Sequence, residues 1–209
     1  MPGGRDASSV AGEEARAVHA EAMSERILEA TFACVDLWGI AKTTVEDAAR
    51  EAGVSRATLY RYFPGGRDEL IAAVVGFEFA RFFDRLYDEV RDAASLEEVL
   101  ERGIGFAHQA VVGHAVLQRI LATEPELLEP TLTIEGSQIL GAIAEFLVPY
   151  LERHELAPGV DVAEAADFLA RMALSHITSP GRWDLADPAQ LARLVRVELL
   201  AGIAPAPVR

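Results

Sequence analysis

Residues 43–70 read TTVEDAAREAGVSRATLYRYFPGGRDEL. Thr43 followed three residues later by Glu46 is a capping box: the hydroxyl satisfies a free backbone N–H of the first turn, and the carboxylate reaches back. The box predicts a helix start, with Val45, Ala48, Ala49 and Ala52 on the buried face. Gly53 ends that helix, because the left-handed backbone of a tight turn carries no Cβ penalty in glycine. Val54 can fill the angle between two helices. Ser55 then caps a further helix over 56–63, which Pro64-Gly65-Gly66 breaks.

Two short helices about a glycine turn have a physical use. One braces on the nucleic-acid backbone while the second lies in the major groove. The second helix needs an apolar anchor inward and polar side chains outward. Leu59 and Phe63, four residues apart, supply the anchor. Arg56, Thr58, Tyr60, Arg61 and Tyr62 have outward positions open to them. Arginine can contact guanine in a fork, and tyrosine or threonine hydroxyls suit phosphate oxygens. Arg50 is expected on a solvated face.

Working outward, the remaining chain is helical in pattern and offers no convincing strand, so an all-α fold is expected. Residues 1–20 lack an apolar stripe and are expected as a mobile tail. A helix follows from about 21 to Gly39, so 21–67 forms the helix-turn-helix domain and 68–209 a larger helical body. Within the body, helices are expected from about 68 to 90, 95 to 113, 116 to 122, 131 to 153, 161 to 178 and 188 to 203. Pro149 should kink or shorten the fourth of these. Asp187-Pro188 marks the start of the last.

The formal net charge of -14 over 209 residues argues, taken alone, against a nucleic-acid binder. Its distribution matters more. Between Lys42 and Arg67 lie five basic and three acidic residues, a local net of +2. Screening over about 8–10 Å lets such a face bind phosphate on an acidic body. One cysteine, Cys34, sits in an apolar run and is expected as a core thiol in a reducing compartment. No targeting segment or membrane span is expected, which implies a cytoplasmic protein.

The stretch resembles the DNA-binding signature of the TetR family of bacterial transcriptional regulators. Turn, cap, the Thr-Leu-Tyr-Arg-Tyr-Phe core and the start of the next helix all align. The resemblance implies that Thr43 and Thr44 open the bracing helix near phosphate. It makes Arg56 and Thr58 base or phosphate contacts, and Tyr60 and Tyr62 backbone contacts. Arg67 stands where the family usually has a lysine. Gly65-Gly66 departs from the usual single small residue and adds flexibility ahead of Arg67. Ser55 and Arg61 complete the candidate DNA-binding set.

A TetR-like body implies a homodimer on a palindromic double-stranded operator and control by a small-molecule effector. The last two helices are candidates for the dimer interface, through Leu169, Met172, Ala173, Leu191, Leu194 and Val195. An effector pocket would draw on Phe77, Phe106 and Phe146, with His108, Gln109, Arg119, Gln138 and His176 as polar groups. Many apolar and few polar candidates favour a ligand that is largely apolar with one polar end. No metal-site, nucleotide-loop or nucleophile-elbow motif occurs, so neither an enzyme nor a cofactor is expected. Two other readings stay open: a DNA-binding dimer without ligand control, and a helical module that binds another protein.

Overall fold

The computed structural model describes residues 7–113 and 129–205, with side chains over 16–113 and 139–205. No strand occurs among the described residues, and the all-α expectation holds. The chain forms two compact units, Met1–Phe82 and Phe83–Arg209.

The N-terminal unit contains α1 (Ala7–Trp38), α2 (Val45–Glu51), α3 (Arg56–Tyr62) and the first part of α4 (Arg67–Val90). Its core gathers Ile27, Leu28 and Ala30 from α1 with Ala48 and Ala49 from α2. Leu59, Phe63, Leu70 and Val74 join them. Two expectations change here. Residues 7–20 are helical rather than a tail, because Ala, Glu and Arg favour helix without needing a buried stripe. The boundary also moves from 67 into α4, because Leu70, Val74 and Phe77 pack on the N-terminal core. Phe77, a pocket candidate, thus packs on the N-terminal core. Cys34 is buried as expected. Burial pushes its thiol pKa up, with Glu51 and Asp47 adding to the shift, which opposes thiolate formation.

The C-terminal unit contains α5 (Leu96–Gly113), α6 (Glu129–Leu151), α7 (Val162–Thr178) and α8 (Pro188–Leu194). The helix expected over 116–122 lies outside the described residues. Pro149 sits inside α6, which ends two residues later at Leu151. Asp161 caps α7 by accepting from the N–H groups of Ala163 and Glu164 at 2.9 and 3.0 Å. Asp187 caps α8 with Pro188 at its start, as the sequence predicts. The final helix is shorter than expected. After Leu194 the backbone widens into a π-helical stretch, Val195–Leu199, closed by Leu200 N–H donating to Val195 O at 2.8 Å.

Most of the expected dimer residues face inward. Leu169, Ala173, Leu191, Leu194 and Val195 are all buried within the single chain, and Met172 is half-buried. Helix α7 packs closely on α6, and its Ala165, Ala166, Ala170 and Ala173 are buried. The large apolar side chains left outward on these elements are Phe168 (40% exposed) and Val197 (54%).

Candidate nucleic-acid interface

The turn between α2 and α3 is built as the sequence demands. Gly53 has φ +64, in the left-handed region that favours glycine. Ser55 Oγ accepts from Thr58 N–H at 3.0 Å and lies 2.9 Å from Thr58 Oγ1, which caps α3 and fixes its first turn. Leu59 and Phe63 point into the core. Ser55, Arg56, Tyr60 and Arg61 are exposed, while Thr58 and Tyr62 are half-buried. Tyr62 also packs against the core, so it offers less free surface than Tyr60.

The outward face of α3 is basic and aromatic. The Arg56 guanidinium lies 6.0 Å from the Tyr60 ring centroid, and that of Arg61 lies 5.4 Å from the Tyr62 centroid. Arg56 also pairs with Glu46 at 2.6 Å, with both side chains well exposed. Exposed pairs of this kind contribute about 0–1 kcal/mol, so a phosphate or base edge can displace Glu46. Tyr60 leans over Gly66, whose φ is +71, and a Cβ on Gly66 would stand 3.3 Å from Tyr60 Cε1. The second glycine of Gly65-Gly66 therefore admits both the turn and the tyrosine ring. Arg50 pairs with Asp47 on the exposed surface, as expected of a solvated residue.

The cap of α2 is shifted by one residue from the expected box. Thr44 is the N-cap: its Oγ1 accepts from Asp47 N–H at 3.2 Å and donates to Asp47 Oδ2 at 2.6 Å. That hydroxyl holds the Asp47 carboxyl below its ordinary pKa range, helped by the charge of Arg50. Thr43 is only 1% exposed and donates to Gly39 O at 2.8 Å. It supports the loop and has no surface to offer phosphate; Thr44 keeps its exposed position.

Arg67 is half-buried and bonded within the fold. Its guanidinium donates to Thr43 O at 3.0 Å and Ile40 O at 2.6 Å, so it is bound to the protein's own backbone. A residue not anticipated does the same at the other end of α2. Arg26, on α1, donates to Ala52 O from Nε at 2.9 Å and from Nη2 at 2.6 Å. No local pattern marks it, because its partner is 26 residues away.

Among the described residues of the C-terminal unit, the pocket candidates are spread over several places. Phe106 and Gln109 border a surface hollow of about 300 Å³ with Leu185 and Leu191. Phe146 meets Phe83 edge-on and Tyr150 at a tilt, at centroid distances of 5.9 and 5.3 Å. His108 Nδ1 is buried without a hydrogen-bond partner among the described residues. His176 Nε2 lies 3.3 Å from Glu198 Oε2, within ion-pair range but without hydrogen-bond alignment. The side chains of Arg119 and Gln138 lie outside the described residues. Tyr150 was not anticipated: it is 5% exposed, and its Oη is buried without a partner among the described residues. Among the described residues no His, Cys, Asp or Glu cluster could hold a metal, and no helix is long and apolar enough to cross a membrane.

Comparison with known proteins agrees with this architecture. Residues 27–74 match the model for bacterial regulatory proteins of the tetR family. Residues 93–196 match the C-terminal domain of the bacterial tetracyclin repressor. An uncharacterized HTH-type transcriptional regulator of Mycobacterium tuberculosis is 30% identical over 118 residues, which is 53% of this chain and 60% of that protein. The chain thus matches under two thirds of the length of such curated relatives. Among solved structures, the TetR family repressor AlkX of Dietzia sp., implicated in biodegradation of n-alkanes, is 27% identical with TM-score 0.58. That likeness covers 85% of this chain and 98% of AlkX. The regulator FadR of Bacillus subtilis, solved in complex with stearoyl-CoA, shares the fold at 19% identity and TM-score 0.54, covering 86% of this chain and 98% of its own. Matched through its helix-turn-helix and again through its C-terminal helices, the chain belongs to the TetR family of bacterial transcriptional regulators, a family of regulators and not of enzymes.

Proposed function

We propose that the chain is a cytoplasmic repressor that binds a palindromic DNA operator as a homodimer and is released by a small, largely apolar effector. The observation that carries the DNA reading is α3 itself: Ser55 caps it, Leu59 and Phe63 anchor it, and Arg56, Tyr60 and Arg61 face outward. Selection of bound fragments from the source genome, at two salt concentrations, is the test. A palindromic site should be recovered and should weaken steeply as salt rises, because phosphate binding releases counterions. Tyr60→Ala should weaken selected and random duplexes alike. Arg56→Ala should also relax one base position, by about 1–3 kcal/mol. Salt-insensitive capture, or equal losses on specific and random DNA for Arg56→Ala, would move a protein partner to the front or remove the base-reading role.

For the dimer, the burial pattern moves the proposed interface from the inward leucines to the outward faces of α7 and the π-helical stretch. Phe168 and Val197 are its apolar anchors there, and Asp167 and Arg171 form a polar edge beside Phe168. A two-fold dimer presents two reading helices to two half-sites, which supports the palindrome.

For the effector, the support is Tyr150. A buried hydroxyl with no partner costs about 1–3 kcal/mol, and a ligand's polar end would satisfy it. Burial pushes the phenol pKa up, with Tyr87 adding to the shift, so Tyr150 meets a ligand as a neutral O–H donor. Phe146 and Phe83 beside it suit a hydrocarbon, and the implication of AlkX in n-alkane biodegradation points the same way. A long-chain alkanol should raise the melting temperature, and Tyr150→Phe should weaken its binding by about tenfold while leaving operator affinity in place. Equal alkanol affinity in both proteins would exclude Tyr150.

A further inference from the structure

Guanidinium groups hold both ends of α2. Arg26 takes the carbonyls of Ala52 and Gly53 beyond the C-terminus of α2, at 2.6 to 3.4 Å. Arg67 takes Ile40 O and Thr43 O ahead of its N-cap, at 2.6 and 3.0 Å. We propose that Arg67 is a positioning residue, through which the first turn of α4 fixes the pose of α2 for DNA binding, and not a phosphate contact. The inference rests on the reading of α2 and α3 as the DNA-binding pair.

Three observations carry it. First, Arg67 opens α4, and a cation there opposes the positive N-terminal end of its own helix dipole. The two loop carbonyls compensate it at shorter range than Asp68 of the same turn, whose Oδ1 lies 3.5 Å from Arg67 Nη1. Second, the loop it grips is itself internally hydrogen-bonded. Gly39 has φ +86 and donates from N–H to Val35 O at 2.8 Å; Thr43 N–H donates to Ile40 O at 3.2 Å. Thr43 Oγ1 donates to Gly39 O at 2.8 Å. Thr44, the cap of α2, follows directly. Third, α4 continues unbroken to Val90, past the division between the units at Phe82 and Phe83. Arg67 therefore joins the helix that leaves the N-terminal unit to the start of the bracing helix. Arginine suits this task because its planar fork reaches two carbonyls in fixed geometry, which a single ammonium does not.

The experiment compares R67K and R67Q with the native full chain, after thermal melts establish that each is folded. Amide hydrogen exchange is read at Asp47 and Ala48, with α7 amides as the internal reference. Affinity for the genomically selected duplex is read across a salt series. Both variants should speed exchange in α2 by about tenfold with α7 unchanged. Both should weaken duplex binding by a similar factor, without changing the slope of log affinity against log salt. Lysine keeps the charge, so its failure to rescue separates positioning from phosphate contact. The proposal is overturned if α2 exchange is unchanged in both variants. It is also overturned if R67K restores native affinity while R67Q lowers the salt slope by about 0.9, the signature of one lost phosphate contact. Should the native chain bind no duplex in a salt-dependent way, the DNA reading fails, and unchanged exchange in α2 would then remove the clamp separately.

Discussion

Leu59→Ala should destabilise the N-terminal unit by about 2–5 kcal/mol and abolish operator binding, although it alters no outward side chain. Leu59 is fully buried, at the centre of a core shared by α1, α2, α3 and α4. Truncation removes apolar contact and leaves a cavity that the surrounding helices fill only in part. Domains are stable by about 5–15 kcal/mol, so a loss of this size takes a large share. The helix is short, seven residues, and stands by docking instead of by its own propensity. Urea unfolding followed by circular dichroism gives the number, and hydrogen exchange shows where the loss falls. Leu59→Met, which conserves volume, should cost under about 1.5 kcal/mol and keep binding. A Leu59→Ala protein as stable as the native one would mean that α3 is not held by this anchor.

That anchor was legible in the sequence because its causes are local. Leu59 and Phe63 share one helix face, Ser55 caps the helix, and Gly53 makes the turn. The cap of α2 shows the limit of such reasoning. Thr43 with Glu46 and Thr44 with Asp47 both satisfy the same spacing. The structure uses the second, because Thr43 is drawn inside to bond Gly39 O. Nothing within four residues decides between them. Arg26 and Arg67 lie further beyond reach. Each looks like a surface cation in sequence, and only the folded loop brings carbonyls to within 3 Å of it.

The body repeats this lesson with the opposite sign. Apolar spacing correctly marks Leu169, Leu191, Leu194 and Val195 as buried, but spacing does not say which surface buries them. Here the same chain does. The π-helical stretch has a related cause: one residue per turn is added after Leu194, which changes which side chains of 195–199 face inward. An unbroken 3.6-residue pattern through 203 misses that shift. The sequence does not single out Tyr150, because an aromatic at helical spacing ordinarily fills a core. What sets it apart is its hydroxyl, unpartnered among the described residues, and that is visible only in three dimensions.

The double variant Phe168→Asp with Val197→Asp should turn the proposed dimer into a monomer and weaken operator binding by about 10²–10⁴-fold. Both side chains are apolar and substantially exposed, so each substitution costs the isolated chain little. In an interface the result differs. Two carboxylates per protomer, four per dimer, would be buried or brought together, and the nearby Arg171 is already paired with Asp167; each uncompensated charge costs several kcal/mol. Loss of the dimer then removes the gain from binding two half-sites at once, since the second contact is no longer intramolecular. Sedimentation gives the oligomeric state, and anisotropy gives affinity for a full operator and for a single half-site. The expected pattern is specific. Full-operator affinity collapses to the half-site value, while half-site affinity and melting of the N-terminal unit stay near native. A variant that remains dimeric would place the interface elsewhere. One that becomes monomeric yet keeps full-operator affinity would show that each reading helix holds its half-site without help from a partner.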